Sequence, residues 1–165
     1  MLKKLIIIAT LVAGTAACKS NSKTARDYNN DIIAQENILE PEVTATESNV
    51  KRYYEAQQYD SVAAAGERME GLVQKSIDDI KALPVPKAKG AADFKAAMIK
   101  YFVFIKSLYT GYKEFGLADS DEKRQEKLQE IQKIVSEKQD VLTEMQGAQR
   151  KFAMDNNFRL ERKKY

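Results

Sequence analysis

Residues 94–115 read FKAAMIKYFVFIKSLYTGYKEF. Within them Phe94, Met98, Tyr101, Ile105, Leu108, Tyr112 and Phe115 recur at alternating steps of four and three, the spacing of one helical seam. Phe102 and Tyr109 widen one flank of that seam, and Ala97 and Phe104 the other. A helix that is apolar over so much of its circumference is covered by several neighbours, which predicts that this one is the centre of a helical bundle. Aromatic residues at core spacing are ordinarily core. The set Phe94, Tyr101, Phe102, Phe104, Tyr109 and Tyr112 is also the one on which a pocket for a small apolar ligand would draw.

The neighbours are legible on either side. Upstream, Pro84-Val85-Pro86 cannot continue a helix, because the residue before each proline is pushed out of the α region. A second helix before it carries Val62, Ala65, Met69, Leu72, Val73, Ile77, Ile80 and Leu83 on one face, with Asp60 or Ser61 as its expected N-cap. Earlier still, Tyr28, Ile32, Gln35, Leu39, Val43, Thr46, Val50 and Tyr53 mark a long first helix. Pro41 falls inside it, so a kink or break is expected near Glu40. Downstream, Gly116-Leu117-Ala118 closes the aromatic helix, and Asp119 to Glu122 has the form of a capping box. A fourth helix follows on Leu128, Ile131, Val135, Leu142, Met145 and Phe152, with Lys138 at a seam position. The fold class expected is therefore all-α, an up-and-down four-helix bundle whose first helix is kinked near Pro41.

The amino terminus carries a different signal. Lys3 and Lys4 precede an apolar run over residues 5–13, then Thr15-Ala16-Ala17, then Cys18, the one cysteine of the chain. The apolar run is too short to span a bilayer, which takes about 20 residues. Together these features resemble a bacterial lipoprotein signal, although Thr15 stands where that signal usually has leucine. The resemblance implies cleavage between Ala17 and Cys18, diacylglycerol on the Cys18 thiol and acylation of the freed amine. The expected organisation is a cleaved signal over 1–17, a lipidated cysteine and flexible tether over 18–23, and a helical domain over 24–165. It implies attachment to the outer membrane through the lipid, on the periplasmic side, with no aspartate after Cys18 to suggest retention at the inner membrane.

Composition narrows the chemistry. There is no histidine, and a lipidated Cys18 leaves no free thiol, so the sequence offers no Ser-His-Asp or Cys-His arrangement and no ordinary zinc ligand set. No glycine-rich phosphate loop is present. The adjacent acids Asp78-Asp79 point about 100° apart on a helix and cannot flank one substrate. The acids at 119–122 lack the glycine and distal glutamate of a calcium loop. The formal charge of +3 owes two units to Lys3 and Lys4, so the mature chain is close to neutral and shows no general attraction to nucleic acid. No enzyme, no cofactor beyond the covalent lipid and no metal is expected. Asp60-Ser61-Val62 matches an acid-Ser-aliphatic glycan sequon of some envelope bacteria, which makes Ser61 a candidate acceptor as well as a candidate cap.

The order of elements, Phe94-Lys95-Ala96-Ala97, Tyr112-Lys113-Glu114-Phe115 and the closing Phe152 to Phe158 segment with Asn156-Asn157-Phe158 resemble a family of small helical lipoproteins of the Gram-negative envelope whose function is unknown. The resemblance implies a lipid-anchored bundle and brings no catalytic residues with it. A structural or protein-interaction module with an envelope partner is the leading expectation. The alternative is a carrier or sensor holding a small apolar ligand or lipid among the aromatic residues of the third helix.

Overall fold

The structure is a computed structural model that describes residues 15–160, with side chains from residue 23 onward. Most of the expected signal sequence, the side chains of Ala17 and Cys18, and the basic end Arg162-Lys163-Lys164 lie outside the described residues. The described chain is helical throughout, without a strand: α1 (Thr15–Glu55), α2 (Tyr59–Ala82), α3 (Ala91–Leu117), α4 (Asp121–Ser136) and α5 (Lys138–Asp155). Residues 18–23, expected as a tether, fall within α1; with neither glycine nor proline among them, they prolong a helix already nucleated further on. Helix α1 also runs unbroken through Pro41, whose side chain is exposed.

Helix α1 ends at a tight reversal. Gln57 has a positive φ of 57°, Gln57 N–H donates to Tyr54 O at 3.0 Å and Gln58 N–H donates to Tyr53 O at 2.8 Å. This is a Schellman closure, with glutamine at the left-handed position where glycine is usual. The reversal lets α2 begin at once, so the N-cap is Gln58 and neither Asp60 nor Ser61. Asp60 instead lies in the first turn, where a carboxylate suits the helix dipole. Ser61 is half-buried there rather than standing at an exposed helix start. The fourth helix departs from expectation too. Its cap is Ser120, which accepts the Lys123 N–H at 3.2 Å, while Asp119 pairs with Lys123 Nζ at 2.9 Å instead of closing a box with Glu122. The expected single helix is divided at Glu137 into α4 and α5.

Helices α2 and α3 form the tightest pair. Cβ atoms added at Gly66 would lie 2.6 Å from Lys113 N and 2.8 Å from Tyr109 O, and one at Gly116 would meet Tyr59 O at 2.5 Å and Ala63. Only glycine lets these backbones approach so closely. The start of α2 thus lies against the end of α3. Further along, Glu70 accepts from Thr110 (2.9 Å) and Lys113 (3.2 Å), Lys106 donates to Gln74 (2.8 Å), and Lys95 donates to the Leu83 and Lys81 carbonyls that α2 leaves open at its end. Helix α4 meets α3 at Gly111 and Ile131, and α5 meets it at Lys100 and Glu144.

The core gathers in two clusters. The larger joins Tyr28 and Ile32 of α1, Met69, Val73, Ile77 and Ile80 of α2, Phe94, Met98, Phe102 and Tyr109 of α3, and Met145 and Phe152 of α5. Phe94 stacks on Phe152 at 4.9 Å, and the Tyr28 ring meets both edge-on. The smaller joins Val50, Val62, Phe115 and Ile131. Between them the seam expectation fails in part. Ile105 and Leu108 are half-buried, and Val135 is 48% exposed. The reason is that α4 packs on α3 with its Cα atoms more than 8 Å from those of α1, so the face of α3 between these two helices is left partly uncovered.

Candidate functional site

That partly uncovered face is the floor of a cleft of about 510 Å3, roughly in the middle of the ~300–1,000 Å3 range of small-molecule sites. Helix α3 contributes Tyr101, Phe102, Phe104, Ile105, Leu108, Tyr109 and Tyr112. Helix α1 contributes the opposite wall, and Val135, Lys138 and Leu142 form the rim where α4 gives way to α5. Five of the six aromatic residues picked out by spacing therefore come together here. The sixth, Phe94, does not, because it is sealed between Tyr28 and Phe152 in the larger core cluster.

The α1 wall is the part that the spacing of the aromatic helix does not disclose. Glu36, Glu40 and Glu47 fall four and seven residues apart, with Leu39 and Val43 beside them. On an α-helix these five positions lie within about 100° of one another, so apolar and acidic side chains share one face. The available signal is that acids sit inside a stripe which, in an ordinary amphipathic helix, excludes them.

Two tyrosine–glutamate contacts join the walls. Tyr112 Oη donates to Glu47 Oε2 at 3.0 Å, and Tyr101 Oη approaches Glu36 Oε1 at 3.5 Å. Tyr109 packs edge-on against Tyr112, with ring centroids 5.8 Å apart, and is itself fully buried. Burial, and secondly the negative charge of Glu47, hold the Tyr109 and Tyr112 hydroxyls well above the ordinary tyrosine range. Both remain neutral donors. Glu47 Oε1 is buried without a hydrogen-bond partner, and neither Glu47 nor Glu36 is in an ion pair among the described residues. Glu47 and Tyr112 also line a smaller hollow of about 200 Å3 next to the cleft, bounded by Val50, Val62, Phe115 and Leu128.

The other residues singled out by sequence stand apart from this site. Asp78 accepts from Gln74 and Asp79 from Lys75, each on its own helical turn. Asp119 and Asp121 pair with Lys123 and Arg124 respectively. Ser61 lies on α2, which supplies no side chain to the cleft wall. Among the described residues, no helix is long and apolar enough to cross a membrane. No protein-family model matches the chain, and neither a curated protein nor a solved structure shows significant similarity to it.

Proposed function

We propose that this chain is a lipid-anchored envelope lipoprotein that works by binding rather than by catalysis, holding a small apolar ligand in the cleft between α1 and α3. In this reading, the protein is cut between Ala17 and Cys18, carries diacylglycerol on Cys18, and is held at the periplasmic face of the outer membrane. Its helices form an up-and-down four-helix bundle in which α4 and α5 together make the fourth limb and α1 bends at Pro41. The pairings of Gly66 with Lys113, Glu114 with Lys127 and Asn29 with Gln149 support that arrangement. No chemistry beyond the covalent lipid is required of it.

The observation that carries the ligand reading is the cleft itself, with Phe104, Ile105 and Leu108 only half-buried in the middle of the most apolar helix. A sealed core would have spoken for the interaction module instead. The exposed apolar residues that such a module would use, Ile38, Val103, Leu117 and Met154, are distributed over α1, α3 and α5, as on ordinary protein surfaces. Native mass spectrometry of the protein purified from its membrane tests the proposal. The expected spectrum contains a species heavier than the lipidated chain that loses a neutral or charged small molecule on activation. A mass fully explained by chain and anchor, together with no saturable uptake of apolar probes, would sink it.

A further inference from the structure

The walls of the cleft say what kind of head group its ligand carries. Glu36, Glu40 and Glu47 line it, against Lys138 as the one cation among the described lining residues. The carboxylates are set beside Tyr101, Tyr109 and Tyr112, which bring no positive charge, so the wall favours a cation through Coulomb attraction. Among the described residues no cation pairs with Glu47 or Glu36. Glu47 faces neutral tyrosine hydroxyls only, Tyr112 donating to Oε2 and Tyr109 close by, while Oε1 has no hydrogen-bond partner, and a buried acceptor left without a donor is unfavourable. Elsewhere the chain provides such partners: Glu70, also on a helix facing α3, has both Lys106 and Lys113 within 4 Å.

We propose that the cleft binds an amphiphilic organic amine in its protonated form, the ammonium at Glu47 beside Tyr112, and the hydrocarbon part along Leu108, Ile105, Phe104 and Leu142. A primary or secondary ammonium fits better than a quaternary one, because its N–H supplies the donor that Glu47 lacks as well as the charge. An anionic lipid tail is disfavoured by the same carboxylates. The inference rests on the ligand-binding reading above and goes beyond it in assigning the sign and hydrogen-bonding character of the head group.

The test is isothermal titration of the detergent-solubilised full chain with hexylammonium, hexanol and hexanoate, three probes of one chain length, with a detergent blank subtracted. Hexylammonium binds saturably and at least tenfold more tightly than hexanoate, with hexanol between them. Glu47→Gln, near-isosteric and checked for folding by circular dichroism, weakens hexylammonium at least tenfold and leaves hexanol unchanged. Where that variant fails to fold, Glu47→Asp, which keeps the charge but withdraws the carboxylate by one methylene, is read instead, with a smaller loss in the same direction. Equal affinity for the three probes, or hexylammonium binding indifferent to both variants, overturns the amine assignment while the apolar-ligand reading stands. Binding of none of the three overturns both.

Discussion

The Tyr112 hydroxyl donates to Glu47 Oε2 across 3.0 Å, joining the third helix to the first at the wall shared by the cleft and the smaller hollow beside it. The pair is a structural tie and one polar end of the cleft. Tyr112→Phe removes the donor and leaves Glu47 with less compensation in a half-buried place, so the variant is expected to lose about 1–3 kcal/mol. Urea denaturation of the variant beside the parent measures it. An unchanged midpoint would show that the contact contributes nothing.

Tyr109 and Tyr112 are expected to contribute to the alkaline limit of the fold. Their folded-state pKa values are raised, chiefly by burial, whereas in the unfolded chain they titrate near the ordinary value of about 10. Their contribution is therefore complete below about pH 10 and declines as the pH rises beyond it, since only the unfolded state releases the protons readily. Stability measured across the alkaline range falls from there, and less steeply in a Tyr109→Phe/Tyr112→Phe double variant. A parallel decline in both proteins would count against these residues.

At the acid end the group to watch is Glu70. Burial alone would raise its pKa, but hydrogen bonds from Thr110 and Lys113 and the charges of Lys113 and Lys106 outweigh that and lower it. Its contribution is present above the unfolded carboxylate value of about 4.3 and is lost as the pH falls through the depressed folded value. Glu70→Gln is expected to flatten the stability profile below about pH 4.3. An acid limb identical to that of the parent would refute the assignment.

Glycine has opposite value at two positions in α2. A methyl at Gly66 collides with the α3 backbone at Lys113 and Tyr109, which cannot move aside as a side chain can, so Gly66→Ala is expected to cost about 1–3 kcal/mol or more. Nothing lies within 4 Å of the corresponding position at Gly71, which is exposed, and Gly71→Ala is expected to gain roughly 0.5–1 kcal/mol from helix propensity. Thermal melts of the two variants should move in opposite directions. If both stabilise, the close approach of α2 and α3 is wrong.

Truncations along α3 should separate core from cleft. Phe102 is fully buried, and Phe102→Ala is expected to cost about 3–5 kcal/mol. Ile105, one turn on, lines the cleft and is half-buried, so Ile105→Ala should cost only about 1–2 kcal/mol, below the range for a packed interior. An Ile105→Ala loss as large as that of Phe102→Ala would mean that α1 or α4 covers it and no cleft exists.

The proposed anchor has its own test. Cys18→Ala is expected to leave the protein unprocessed or to release it from membranes, since among the described residues no helix is long and apolar enough to cross one. Fractionation followed by intact mass reads both outcomes. A processed variant retained in the membrane fraction would contradict lipidation at Cys18.

The sequence by itself determined the helices and most of what they bury. The four-and-three spacing of residues 94–115, the stop at Pro84-Val85-Pro86 and the apolar face of α2 are local properties, written in side-chain periodicity and in the backbone limits of proline. Caps and breaks were less legible. Ser120 competes with Asp119 and Asp121 for one role, and the identity of the α2 cap depends on Gln57 taking a left-handed conformation that its residue type does not announce. What only the tertiary structure decided is which stretches of apolar stripe find a partner. Periodicity assigns Met98, Ile105, Leu108 and Phe115 to the same seam, yet Met98 and Phe115 are buried whereas Ile105 and Leu108 line a cleft, because α1 and α4 diverge there. The acids of α1 acquire meaning in the same way: Glu36 and Glu47 lie 65 residues before Tyr101 and Tyr112, a separation that only the packing of α1 along α3 closes.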